Sequence, residues 1–155
     1  MKTFLAAAVI ASIAATTHAE TVSMERKGVG TSNTEVTQIA EGHLVMVTDS
    51  IYEGFSGPDD MMGTSKGSCH GTMHLMAGKL SGGGHCVYTD SEGDNWVVNW
   101  VPNAMTQTGA VEGNWTITGG SGKYEGAIGT GSFSTLTDQA TGKFVNQTTG
   151  SATLQ

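Results

Sequence analysis

Positive charge is scarce in this chain. Lys and Arg number 7 against 14 Asp and Glu, and the formal charge is −7. A surface of that sign repels phosphate backbones, and Arg26-Lys27 is the longest basic run, so nucleic acid is excluded as a partner. Long apolar runs are equally rare. The one from Phe4 to Ala15 falls short of the roughly 20 residues that span a bilayer, so no integral membrane segment is expected once the leader is removed. Helical periodicity is missing after that run, because Gly, Ser, Thr, Asn and Asp interrupt the apolar residues every 8 to 12 positions or so. This excludes a helical bundle. No repeat of fixed period is present either, which excludes a propeller or solenoid.

What is present begins with an export signal. Lys2 supplies a charged start, Phe4 to Ala15 an apolar stretch and Thr17-His-Ala19 a small-residue cleavage site, so residues 1–19 read as a signal peptide and 20–155 as a single domain. Removing the leader takes away Lys2 and leaves 6 basic against 14 acidic residues, a net charge of −8. A retained N-terminal anchor is the minor alternative. No cysteine follows the cleavage site, which argues against a lipoprotein. The expected location is periplasmic or extracellular. In that setting the 2 cysteines read as a Cys69–Cys86 disulfide closing a loop of about 18 residues, a link contributing about 3 kcal/mol.

Glycine is abundant, 23 of 155 residues against a usual share near 7%. It is interspersed with Val, Ile, Thr, Trp and Tyr, so it reads as punctuation between strands. Strands are expected near Thr21–Arg26, Glu35–Ile39, His43–Ser50, Ser68–Met76, His85–Thr89, Trp96–Val101, Asn114–Thr118, Gly131–Thr137 and Phe144–Thr148. Ser91–Asp94, Gly119–Gly122 and Asp138–Gly142 read as hairpin turns. Pro58 argues against a strand through Gly54–Gly67, which reads as a loop over one barrel mouth. The expected fold is all-β, a closed antiparallel barrel of about eight strands, since closure removes exposed edges.

The run Thr118-Gly-Gly-Ser-Gly-Lys-Tyr-Glu-Gly-Ala-Ile-Gly-Thr-Gly-Ser-Phe133 resembles the late-strand signature of bacterial proteins related to allene oxide cyclase and plant dirigent proteins. The resemblance covers Gly113 to Thr137 and extends more loosely to Cys86–Asp94. It implies an allene oxide cyclase-like (calycin-like) barrel holding a hydrophobic molecule, and in enzymatic relatives one that steers cyclisation or coupling of a reactive intermediate. No catalytic residue of those families carries over, because their motifs have no residue-by-residue match here. Gly120-Ser-Gly-Lys123 is not a phosphate loop, since Tyr124 replaces the required Ser or Thr and strand follows in place of helix. Gly113-Asn-Trp115 lies too late for the G-x-W of a lipocalin.

Tyr52, Tyr88, Trp96, Trp100 and Trp115 are the candidate ligand-lining residues. In Trp96–Val101 the indoles share a face with Val98, while Val97, Asn99 and Val101 share the other, and either face fits a lumen. Simple core packing is the plainer reading of these rings. Asp49, Glu53 and Tyr88 are candidates for acid–base work if they reach the lumen. No cofactor or metal is expected. His70, His74 and His85 form the alternative, a surface Zn or Cu site, because a Cys69–Cys86 pair in direct register brings His85 opposite His70. Exposed or partly buried histidines are the plainer reading. Met61-Met62 would cap an apolar cavity, and the remaining acids read as solvated turn residues.

The function expected is therefore an exported barrel binding a small apolar or aromatic molecule in its lumen. A cyclase- or isomerase-like enzyme using the same lumen is one alternative, and a structural or interaction barrel with a filled core is another. A small hydrophobic molecule is the expected partner, and the sequence leaves homo-oligomer formation open.

Overall fold

The structure is a computed structural model that describes residues 19–57 and 61–155. The signal-peptide reading falls on residues 1–19, and all of these but Ala19 lie outside the described residues. Nine strands follow in order: β1 (Glu20–Ser23), β2 (Arg26–Ala40), β3 (His43–Ser56), β4 (Lys66–Met76), β5 (Lys79–Thr89), β6 (Asn95–Met105), β7 (Val111–Gly120), β8 (Ile128–Thr137) and β9 (Lys143–Leu154). Two short 3₁₀ turns, Met61–Thr64 and Gly122–Tyr124, complete the regular structure among the described residues.

Each strand from β2 to β8 pairs antiparallel with the next, and β9 pairs with both β8 and β2. Eight strands, β2 to β9, thus close an up-and-down barrel, as the alternation and hairpin turns predict. β1 continues the line of β2 along the far end of β9, from Glu20 opposite Leu154 to Ser23 opposite Ser151. The all-β reading holds.

The strands are longer than the apolar runs suggest, and glycine is the reason. Gly82, Gly83 and Gly84 lie inside β5 and stay paired with Met73, Thr72 and Gly71. Pro102 lies inside β6, beside a register shift between Pro102 and Ala104 that accommodates the missing N–H. Reading glycine as a separator is corrected here for the lumen-facing positions, where it makes room for rings. A methyl group at Gly71 would run into the Trp100 indole, and one at Gly84 would stand 2.6 Å from the same ring. Gly150 gives the same space to Trp115, at 2.7 Å, and Gly113 to Phe133, also at 2.7 Å. Aromatic bulk is thus matched by glycine on the neighbouring strand or the one beyond it, which keeps the sheet closed around side chains of very unequal size.

Alternation sets what faces inward. Met46 and Tyr52 on β3, Cys69 and Met73 on β4, Cys86 and Tyr88 on β5, and Trp96 and Val98 on β6 are all buried. Their neighbours in sequence face out. A bulge where Val29 pairs with Gly54 and Gly30 with Tyr52 leaves Glu53 unopposed and turns Phe55 inward.

Candidate functional site

One end of the barrel is sealed. Tyr124 and Ser65 are fully buried and Met62 is 1% exposed, so residues in and just after the two 3₁₀ segments plug the interior. Of the segment expected as a mouth loop, Gly54 to Ser56 belong to β3 and Lys66 and Gly67 to β4, while Met62 and Ser65 belong to the closed floor. Pro58, Asp59 and Asp60 lie outside the described residues, and for Met61 only the backbone is described. Trp96 donates its indole N–H to Ser65 Oγ at 3.0 Å. Tyr124 donates its hydroxyl to Asp90 Oδ2 at 3.0 Å. Asp90 Oδ1 accepts backbone N–H bonds from Glu92, Gly93 and Asp94 at 2.8, 3.0 and 3.1 Å, fixing the β5–β6 turn. Lys123 Nζ stands 2.7 Å from both Asp90 Oδ2 and Glu92 Oε2.

These contacts set the charges of the floor. Desolvation works to raise the Asp90 pKa, but the hydrogen bonds from Lys123, the Glu92 N–H and Tyr124 outweigh it and hold the carboxyl at about 2. Hydrogen bonds to Asp90 and Glu92 push Lys123 well up. Burial, followed by the neighbouring Asp90, pushes the Tyr124 phenol up as well. Asp90, Glu92 and Asp94 bring their oxygens close together, and the Lys123 ammonium is the cation that compensates two of them.

Above this floor lies a cavity of about 170 Å³, whose lining reaches the β6–β7 and β8–β9 connections through Met105, Gly109, Thr137 and Gln139. An enclosed apolar cavity of about 150 Å³ admits benzene, so the space corresponds to roughly one aromatic ring. One side of the wall is aromatic. Tyr88 stacks on Trp96 with centroids 4.4 Å apart, Tyr52 meets Phe144 edge-on at 4.7 Å, and Trp100 meets Phe133 edge-on at 6.4 Å. Trp115 donates its N–H to the Ser132 carbonyl at 3.1 Å, which leaves its ring face to the lumen. The Cys69–Cys86 disulfide is formed in direct register and lies in this wall.

The other side is hydroxylic. Ser50 donates to Ser32 at 2.9 Å, Ser32 and Thr48 share a bond of 3.1 Å, and Thr34 donates to Thr48 at 3.1 Å, forming a chain across β2 and β3. Around the closure, Thr135 donates to Asn146 Oδ1 at 3.0 Å, and Asn146 Nδ2 donates to the Tyr52 hydroxyl at 2.7 Å. Burial raises the Tyr52 pKa to about 12 although hydrogen bonds from Asn146 and Tyr88 oppose it. Burial, with the nearby Tyr52, raises Tyr88 well above the usual phenol range. Both phenols therefore stay protonated at neutral pH and are available as hydrogen-bond partners. Arg26 is the one charged residue among those that line the cavity.

Tyr52, Tyr88, Trp96, Trp100 and Trp115 are all brought together on the lumen wall. Asp49 and Glu53 are on the exterior: Asp49 Oδ1 lies 2.5 Å from His70 Nδ1, and Glu53 is the exposed residue of the bulge. They do not meet the lumen-facing condition attached to them as acid–base candidates, whereas Tyr88 does. His70 stands directly opposite His85. His74 pairs with Ser81 and has its ring 5.9 Å from that of His43, so His70, His74 and His85 do not form a single cluster. Sequence reasoning missed the hydroxyl chain, Asn146, Phe133 and Phe144. The signal for the chain was Ser32-x-Thr34 and Thr48-x-Ser50, hydroxyls spaced by two on adjacent strands, which equally fits a solvent face.

No protein-family model and no curated protein matches this sequence. Among solved structures, the fold is similar to that of the pterocarpan synthase dirigent protein GePTS1, with a TM-score of 0.55 and 13% identity, over 94% of this chain and 99% of that one. No helix among the described residues is long and apolar enough to cross a membrane. The likeness shows the fold alone, and with the closed eight-stranded sheet it places this chain on a dirigent-like, calycin-like barrel.

Proposed function

We propose that the chain is an exported barrel of one domain, residues 20–155, that binds a small apolar or aromatic molecule in its lumen. The observation that carries this reading is the cavity of about 170 Å³ between an aromatic wall and a hydroxyl-bearing one. Such a lining favours a largely uncharged ligand, about one ring in size where it is enclosed, with a polar edge turned toward Ser32, Thr48 and Asn146. Export is supported by the leader pattern and by the disulfide, which persists in oxidising compartments. The filled-core alternative requires an interior without room, and the cavity counts against it.

A second reading is a cyclase- or isomerase-like enzyme on a barrel resembling the bacterial allene oxide cyclases. The hydrogen-bonded Thr135–Asn146–Tyr52 series favours it, because it sets neutral donors beside an aromatic chamber. Catalysis there would act by holding one conformer of a reactive molecule away from water. Mass spectrometry of small molecules released from tag-free protein of the exported fraction tests both readings. One organic species at near-stoichiometric amount is expected. Its chemical alteration on incubation would move the assignment to the enzyme, and the absence of any species, with tryptophan fluorescence unmoved by indole or naphthol, would overturn both.

A further inference from the structure

His43, His70, His74 and His85, all the histidines among the described residues, share the outer face of β3, β4 and β5. The inward positions of Met46, Cys69, Met73 and Cys86 require this by alternation. They form two pairs of nearly equal spacing. His70 and His85 have ring centroids 6.1 Å apart, and His43 and His74 have theirs 5.9 Å apart. The pairs differ in one partner: Asp49 Oδ1 lies 2.5 Å from His70 Nδ1.

That contact fixes the tautomer of His70. An ionised carboxylate only accepts, so Nδ1 carries the hydrogen and Nε2 offers its lone pair outward. A carboxylate behind an imidazole is the usual support of a metal-ligating histidine, holding the ring and raising its basicity. The side chains of His70 and Asp49 are 52% and 60% exposed, so solvent reaches the site and can complete a coordination shell. A metal with bonds of about 2.1 Å needs its two nitrogens about 3 Å apart, within reach of exposed rings facing each other across adjacent strands.

We propose that His70 and His85 form a surface site for a divalent transition-metal ion of the nickel, copper or zinc class, with Asp49 as the positioning residue for His70. Two imidazoles and water suit these ions and not calcium or magnesium, which take oxygen ligands. The acidic turn at Asp90 is no rival, because Lys123 already compensates it. The site is separate from the lumen, on the opposite face of the same strands.

The test is calorimetric titration of tag-free, disulfide-bonded protein with nickel or zinc chloride, together with the electron paramagnetic resonance of the copper-loaded protein. One saturable site is expected, with nitrogen coupling from two imidazoles. His70→Ala and His85→Ala should each weaken binding at least tenfold. Asp49→Ala should weaken it about tenfold and Asp49→Asn, which keeps an acceptor, by less. His43→Ala and His74→Ala should leave it unchanged, with near-ultraviolet circular dichroism verifying the fold of every variant. Wild-type affinity in His70→Ala or His85→Ala, an equal loss in the His43 or His74 variants, or no saturable binding at all would overturn the proposal.

Discussion

The floor and the upper wall of this barrel both contain linked polar side chains, yet their surroundings differ completely. At the floor, the Asp90 side chain is fully buried, Lys123 is 18% exposed, and Tyr124 and Ser65 have no exposure. In the upper wall, Ser32, Thr34, Thr48 and Ser50 are each half-buried and border the cavity. A hydrogen bond lost where water is excluded leaves its partner unsatisfied. One lost beside a cavity that solvent can enter is replaced by water. The same chemistry therefore carries stability at one end and is available for recognition at the other.

The strongest way to break this contrast is Asp90→Ala. It would remove the buried acceptor of the Tyr124 hydroxyl and of three turn N–H groups, and one of the two carboxylates that hold the Lys123 ammonium. A loss of about 3 to 5 kcal/mol is expected in urea unfolding, as for a buried ion pair stripped of one partner. The pH dependence should follow the same carboxyl. Its folded pKa of about 2 lies below the ordinary 3.8, so its contribution is fully present above about pH 4 and disappears as the pH falls through 2. A variant within 1 kcal/mol of the wild type would remove the distinction between the two regions.

A smaller effect is expected at the seats of the aromatic wall. Gly71→Ala would push the Trp100 ring toward the lumen and crowd the Gly83 carbonyl, which a new methyl would approach to 2.7 Å. Overpacking of this kind costs about 1 to 3 kcal/mol. Displacement of Trp100 into the cavity should also lower affinity for an indole or naphthol probe, read by fluorescence. Trp100→Ala combined with Gly71→Ala should recover part of the stability, because it empties the space in dispute. Additive losses in that double variant would show that Gly71 serves the backbone and not the ring.

Closure, hairpins and disulfide register were legible because each rests on local rules. The turns at Ser91–Asp94 and Asp138–Gly142 carry their own Asp caps, seen as the Asp90 and Asp138 side-chain bonds to following N–H groups. The facing of Trp96 and Trp100 was not legible. Val97 and Val101 make the other face of β6 equally apolar, and only the register with β5 and β7 decides between them. The glycines of β5 hid its length, since their role is read only against Trp100 on the adjoining strand. The hydroxyl chain stayed hidden for a related reason. Ser and Thr alternating with other residues usually mark the solvent side, and here that polar side is the inside of β2 and β3.

Thr48→Val sharpens the comparison by being quiet. Thr48 Oγ1 is the central oxygen of the hydroxyl chain, bonded to both Ser32 and Thr34 at 3.1 Å. Valine keeps its shape and branching, so packing and strand preference change little, and two hydrogen bonds are lost. At the floor such a loss would leave buried groups unpaired. Beside the cavity, Ser32 and Thr34 can turn their hydroxyls to water, so stability should change by no more than about 1 kcal/mol. Ligand affinity should respond more, since a bound molecule displaces that water and must itself satisfy the hydroxyls. A fall of roughly tenfold for a probe with a polar edge, against little change for a purely apolar one, is the expected pattern. Equal effects on both probes would mean that the hydroxyl chain only shapes the wall.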